Sequence, residues 1–422
     1  MASAIDIYLQ RQRSFVPALS AMPKADLGIV VVIPCFAEPR LWQSLQALAQ
    51  CAATPCHAEV LVVVNYPELA TQQDIDLCHK NLGEVIRAEA ELSKPGLTFS
   101  CIKKFNLPDK NSGVGVARKY GMDEAAYRFG QVNNPGGIVA CFDADATCDA
   151  HYLRELHALF TRNKRVEACS VYYEHPIQGN DFSKEIYLGI ARYELHLRYY
   201  NQACKYANLP YAYHTVGSSM ACTAEAYARV GGMPKNKAGE DFYFLQKLIP
   251  NGHFAELNTT RVIPSPRISH RVPFGTGRAI QEMHERDDFS LLTYRLPAFE
   301  VVKKMVEQSL QLFKADEKQL AAAYSGLPKE FTQVITVDEY LSAIMNAGQN
   351  AATQTMFERR FYAWFSAFRL MRYLNDAHAS GVYAKTPVEQ EAAELLQKLG
   401  CFGVLPDVFQ LLNTYRRIER IS

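Results

Sequence analysis

Long apolar runs are missing from this chain of 422 residues. No stretch of about 18 uninterrupted apolar residues occurs, so no transmembrane helix is expected. Net charge is missing too: Lys and Arg total 45 against 44 Asp and Glu, so no overall field points to nucleic acid or to an anionic membrane. Any phosphate must be met by a local cluster. The 11 cysteines include no Cys-x-x-Cys pair. Cys35, Cys141, Cys169 and Cys222 stand in apolar, strand-like runs, where cysteine acts as a small hydrophobe, so neither a disulfide framework nor a zinc site is expected. Met1 to Arg13 is polar and lacks the apolar core and cleavage site of a secretory signal, which makes a cytoplasmic location the expectation.

What is present is an ordinary globular balance, 48% hydrophobic and 21% charged, over a length that suits two packed units. The first part alternates between strand and helix signals. Leu27–Pro34 is a β-branched run closed by proline, Glu59–Val64 a second, Leu97–Ile102 a third and Gly137–Phe142 a fourth. Between them, Pro39–Cys51 puts Leu41, Leu45 and Leu48 on one helical face, and Gly115–Phe129 also reads as a helix. This order predicts an α/β fold with a mainly parallel sheet, whose ligands bind beyond the carboxyl ends of the strands. From about Arg278 the texture changes to amphipathic stretches at Ala279–Phe313, Asp338–Ala347, Thr355–His378 and Pro387–Leu399, with Leu320–Thr336 between them as a loop. The expected organisation is an extension at 1–26, an α/β domain at 27–278 and a helical C-terminal appendage at 279–422.

Asp143 and Asp145 follow the fourth strand directly. Two carboxylates at the ligand edge of a sheet are hard donors suited to Mg²⁺ or Mn²⁺, which in turn bridge diphosphate oxygens. One Asp-x-Asp is expected by chance in a chain of this length, and Asp74-Ile75-Asp76 is such a decoy, with no strand before it. An EF-hand reading of Asp143, Asp145 and Thr147 fails, because Cys148 stands at the glycine position and Arg154 at the glutamate position.

Three further segments carry chemistry. Gly113-Val114-Gly115 is a weak dinucleotide motif, since Arg118 replaces its third glycine. As a helix N-terminus it favours anionic groups, with Lys110 and Arg118 adding charge. Glu240-Asp241 opens an apolar helix after the Gly231-Gly232 turn. Either it is simple N-terminal capping, or Asp241 is a general base for an acceptor hydroxyl. Arg267 to Arg278 is the densest basic segment outside the helices; Arg271, Arg278 and two glycines suit a diphosphate, and His270 would complete a metal shell.

Taken in order, VVVIPCFAEPR (30–40), VVVN (62–65), GVGVARKYGMDEAAYRF (113–129), GIVACFDADATCDAHYLREL (137–156) and VGSSMACTAEAYARVGGMPKNKAGEDFYFLQKL (216–248) resemble the family-two glycosyltransferases of GT-A fold. The resemblance covers about residues 27–278. It implies that Pro34, Phe36 and Glu38 line the base and ribose pocket with Asn65 beside the base. It makes Asp143 and Asp145 the ribose, diphosphate and metal residues, with His270 a further metal ligand. Asp241, with Glu240 before it, becomes the base of a single inverting displacement.

It further implies a Mn²⁺ or Mg²⁺ cofactor and a nucleotide-sugar donor. Asn65-Tyr66 stands where the family commonly has an acidic pair, so both UDP- and GDP-linked donors stay open. The tryptophan motif of the processive membrane polymerases is absent, and one sugar is expected to pass to a hydroxyl acceptor that the sequence leaves unidentified. Tyrosines between Phe182 and Tyr213 are candidates to stack on it. The helical tail is a candidate for homo-oligomer contacts. Two other readings are a sugar-phosphate nucleotidyltransferase, which would normally carry a Gly-rich basic loop where Cys35–Pro39 stands, and a non-catalytic protein that keeps the fold for nucleotide or partner binding.

Overall fold

Valine and isoleucine dominate the runs read as strands, and those runs form the middle of one sheet. The computed structural model describes residues 2–12, 14–109, 112–236, 239–269, 275–349, 351–403, 405 and 407–421. They divide into two compact units, Met1–Ile190 with Thr215–Glu285 and Glu419–Ser422, and Ala191–His214 with Arg286–Ile418.

In the first unit the strands are Leu27–Cys35 (β1), His57–Pro67 (β2), Leu97–Leu107 (β3), Ile138–Cys141 (β4), Thr147–Cys148 (β5), Ala168–Tyr173 (β6), Met220–Thr223 (β7) and Phe254–Ile263 (β8). Among the described residues they make an eight-stranded sheet in the order β3-β2-β1-β4-β7-β6-β8-β5. β1 runs parallel to β2 and β4, β2 to β3, and β6 to β8. The pairs β4–β7, β6–β7 and β5–β8 are antiparallel. The fold is therefore the expected one, a mixed and mainly parallel sheet. The chain leaves β1 for β2 and β3, then returns to β4 on the other side of β1. The crevice beyond the carboxyl ends of β1 and β4 is thus the switch point where ligands bind in such sheets.

Helices cover both faces, which explains why β1 and β2 are buried along nearly their whole length and mostly apolar. They are Ala4–Arg11 (α1), Leu41–Ala49 (α2), Gln72–Glu91 (α3), Val114–Gln131 (α4), Tyr152–Arg162 (α5), Lys184–Tyr206 (α6, shared with the second unit), Ala224–Arg229 (α7), Glu240–Leu248 (α8) and Thr276–Glu285 (α9). On one face Val31, Ile33, Val60 and Val62 pack with Leu45 of α2, Val85 of α3 and Leu156 of α5. Cys35, Cys141, Cys169 and Cys222 are buried in the strands and form no disulfide.

On the other face lies α4, buried nearly all round even at Arg118, Lys119, Asp123, Glu124 and Arg128. Polar residues are tolerated there because the segment before β1 supplies partners. Tyr8 donates to Asp123 at 2.7 Å, the Ala18 and Leu19 N–H groups donate to Glu124 at 2.8 and 3.2 Å, and Arg128 donates to the Ala21 carbonyl at 2.9 Å. Arg128 also makes a two-pronged pair with Glu59 of β2, at 2.5 and 2.7 Å.

The second unit is helical, with Leu296–Leu310 (α10), Glu317–Ser325 (α11), Lys329–Thr332 (α12), Val337–Gln349 (α13), Gln354–Trp364 (α14), Ala367–Ala379 (α15), Val388–Lys398 (α16) and Val408–Ile421 (α17). A short antiparallel pair, Leu292–Thr293 (β9) with Thr386–Pro387 (β10), joins them. Two sequence expectations need correction. Leu320–Thr336 is not a loop: Asp316 and Gln319 form a capping box that starts α11, while Gly326 ends it and Pro328 starts α12. Ala279–Phe313 is not one stretch. The chain breaks after α9, where Asp287 has positive φ, and Pro297 restarts it as α10. Among the described residues no helix is long and apolar enough to cross a membrane.

Close approach of α4 to the sheet depends on Gly121, where a Cβ would stand 2.3 Å from Val32 Cγ1 and 3.1 Å from Val63 Cγ2. Gly121→Ala is expected to destabilise the protein by about 1–3 kcal/mol through overpacking, in spite of alanine's better helix propensity. Urea unfolding tests this, and an unchanged or raised midpoint would contradict the packing described.

Candidate active site

The segment after β1 turns sharply at Ala37, whose φ is 46°. Asn81 of α3 fixes that turn from both sides: its Oδ1 accepts from the Glu38 N–H at 2.9 Å, and its Nδ2 donates to the Glu38 carbonyl at 2.6 Å. The Glu38 carboxylate is consequently aimed and almost fully covered, at 1% exposure. One oxygen accepts from the Arg40 N–H at 3.0 Å and the other from Arg267 Nη2 at 2.6 Å. Pro34 and Phe36 are half-buried beside it. Asn65 is buried at the end of β2, where Tyr66 stacks on Phe105 at 4.6 Å.

Beyond β4 the chain continues into Asp143-Ala144-Asp145. Ser44 of α2 holds this loop by donating to the Ala144 carbonyl at 2.8 Å. Each aspartate meets a guanidinium. Arg118 Nη2 donates to Asp143 Oδ1 at 2.7 Å, and Arg267 Nε donates to Asp145 Oδ2 at 2.7 Å. The decoy pair has a different environment: Asp74 lies in the first turn of α3, where the Thr71 side chain caps it.

Glu240 and Asp241 open α8, and the same Arg118 reaches them. Its Nη1 donates to Glu240 Oε1, so one buried guanidinium joins residues 143 and 240. α4 and the start of α8 come this close because Gly115 has no side chain; a Cβ there would lie 2.4 Å from the Asn236 carbonyl and 2.9 Å from Glu240 Cβ. Asn236 and Glu240 thus lie against the start of α4, and Arg118 serves two carboxylates. Asp241 is half-buried and accepts from the N–H groups of Phe242, at 2.7 Å, and Gly217.

Five carboxylates (Glu38, Asp143, Asp145, Glu240 and Asp241) therefore face two guanidiniums. Burial of these carboxylates shows in their proton affinities. Burial raises Asp143, opposed by Arg118 and reinforced by Asp145 and Asp241. Burial likewise raises Asp241 against the pull of Arg118 and its backbone donors. Glu240 is pushed up to about 7 by burial, which outweighs Arg118. Arg118 itself is held charged by Glu240 and Asp143 against its own burial.

Asp143 and Asp145 are hard oxygen donors, and each gives one oxygen to a guanidinium. Among the described residues, no group of three or more His, Cys, Asp or Glu could hold an ion. The two aspartates alone are donors of the kind Mg²⁺ or Mn²⁺ takes when water and phosphate oxygens complete its shell. Lys110, His270 and Arg271 lie outside the described residues. Arg278 is not brought to the cluster through its described partner; it pairs with Glu282 one turn along α9, at 2.9 Å. Of the candidate stacking tyrosines, Tyr187, Tyr199 and Tyr211 are buried. Arg267 had been visible only as one arginine of a basic segment, and nothing in the sequence separated it from Arg271 and Arg278.

Residues 30–218 match the model of the family described as glycosyl transferase family 2. This stretch is similar to glycosyl transferase family 2. The family 2 match contains Glu38, Asn65, Arg118, Asp143 and Asp145 and ends before Glu240. No curated protein matches the chain. Solved structures similar to it include S. aureus TarS 1-349, at 11% identity over 94% of this chain and 92% of that one, with a TM-score of 0.37. The same protein in complex with UDP (12% identity, 94% and 92% coverage, TM-score 0.36) and with UDP-GlcNAc (13%, 93% and 90%, 0.37) is similar to the same degree. At that distance these likenesses transfer no property to this chain.

The raised Glu240 gives a pH test. Its folded pKa of about 7 lies above the ordinary 4.5, so the folded state binds the proton more tightly than the unfolded chain. Its stabilising contribution is therefore full below about 4.5 and is lost as pH rises through about 7. Glu240→Gln should flatten the fall of unfolding free energy across that window, measured by urea unfolding at several pH values. A slope identical to that of the unmodified protein would contradict the assignment.

Proposed function

We propose that this protein transfers a sugar from a nucleotide-sugar donor to an acceptor hydroxyl, in a metal-dependent reaction. One observation carries the proposal: Asp143, at the end of the family 2 strand motif, and Glu240, beside Asp241, share the buried guanidinium of Arg118. Residues suited to a donor diphosphate and a residue suited to an acceptor hydroxyl thus belong to one site at the switch point of the sheet. We further propose that the α/β domain at 27–278 houses this chemistry and that 279–422 is an appendage to it.

Asp241 removes the proton of the acceptor hydroxyl as its oxygen bonds to the anomeric carbon, while the bond from that carbon to the diphosphate breaks. The nucleoside diphosphate leaves, and the configuration inverts in this single displacement. Burial raises the proton affinity of Asp241, which makes it a better base than an exposed aspartate. Backbone donation from Phe242 and Gly217 keeps its carboxylate oriented. Asp143 and Asp145 would hold the Mg²⁺ or Mn²⁺, whose charge stabilises the departing diphosphate. Asn65 and Tyr66 at the end of β2 are the residues proposed to select between UDP- and GDP-linked donors.

Asp241→Asn should lower nucleoside diphosphate release from a UDP- or GDP-sugar by about 10²–10⁴-fold, with little change in calorimetric nucleotide affinity. Turnover at the unmodified rate would remove Asp241 from the base's role.

A further inference from the structure

Arg267 pairs with Asp145, one of the expected metal ligands, and its geometry is that of a built contact. It stands just beyond β8 and uses two different nitrogens for two carboxylates from separate strand ends, Nε for Asp145 at 2.7 Å and Nη2 for Glu38 at 2.6 Å. Glu38 cannot turn away readily, because Asn81 holds its backbone and the Arg40 N–H holds its other oxygen. Its side chain is 1% exposed, against 18% for Arg267 and 19% for Asp145. The Glu38 end of the bridge is therefore the fixed end, and the Asp145 end is the one open to exchange. Such a fork-shaped, charge-assisted contact has to be broken before Asp145 can give the same oxygen to a metal.

We propose that Arg267 is a built-in counter-ion of Asp145, anchored by Glu38, which a divalent cation displaces only when the donor's diphosphate arrives to take the guanidinium. Cation and nucleotide then bind cooperatively, and the cation alone binds weakly. The inference rests on the donor-site reading above. It assigns Glu38 the task of positioning Arg267, whereas the resemblance would place it against the ribose. Linkage requires the coupling to be reciprocal, so UDP tightens Mn²⁺ by the same factor as Mn²⁺ tightens UDP.

The test is Mn²⁺ binding to the full chain, read by electron paramagnetic resonance of the free ion, with and without UDP or GDP. Arg267→Gln should bind Mn²⁺ alone about tenfold more tightly than the unmodified protein and lose most of the nucleotide coupling. Arg267→Lys, which keeps the charge but not the fork, should fall between the unmodified protein and the glutamine form, and serves as a second variant if the glutamine form does not fold. Equal or weaker Mn²⁺ binding in Arg267→Gln overturns the inference, as does a lysine form that behaves like a charge deletion. An unmodified protein that binds neither nucleotide in the presence of Mn²⁺ would instead overturn the donor-site reading.

Discussion

The guanidinium of Arg118 is buried in the first unit between Asp143 and Glu240, and the candidate site depends on that contact. A buried ion pair of this kind contributes little net stability, because desolvation consumes most of the attraction. Losing one member is a different matter and typically costs about 3–5 kcal/mol, since charge is left buried without a partner. The pair therefore acts mainly as a constraint on geometry. It ties the loop after β4 to the first turn of α8, two segments that approach only because Gly115 leaves room.

Much of the surrounding structure serves to keep that arginine in place. α4, which carries it, is pressed onto Val32 and Val63 at Gly121 and covered on its outer side by the segment before β1. Lys119, Asp123, Glu124 and Arg128 of the same helix are buried, and each has a partner there. On the opposite side of the crevice, Arg267 repeats the arrangement with Glu38 and Asp145. Two guanidiniums thus hold four carboxylates in register, and Asp241 stands beside them. The cluster is rich in carboxylates, and burial raises the proton affinities of Asp143, Glu240 and Asp241 within it.

The legible part of this fold was the part governed by local pattern. Strands buried on both faces must be apolar throughout, so β1, β2 and β4 stood out, and the aspartates placed directly after β4 could be separated from the helical decoy at Asp74 and Asp76. The partner of Arg118 was not legible, because Glu240 lies 122 positions away and only the folded chain brings them together. The role of Arg267 was hidden for a related reason: neighbouring arginines look alike until β8 and the turn at Ala37 select one. Nor did periodicity expose the burial of α4, whose charged residues mimic a solvated face. In the second unit, Gly326 and Pro328 separate two helices where a loop had been expected.

The central claim is that the carboxylates gathered around Arg118 form a nucleotide-sugar donor site completed by a divalent cation. Calorimetric titration of UDP and GDP into the purified protein, with Mn²⁺ and with the ion chelated, tests it most directly. The account predicts that at least one of the two nucleotides binds and that chelation abolishes its binding. Failure of both to bind, or binding indifferent to the cation, would contradict it.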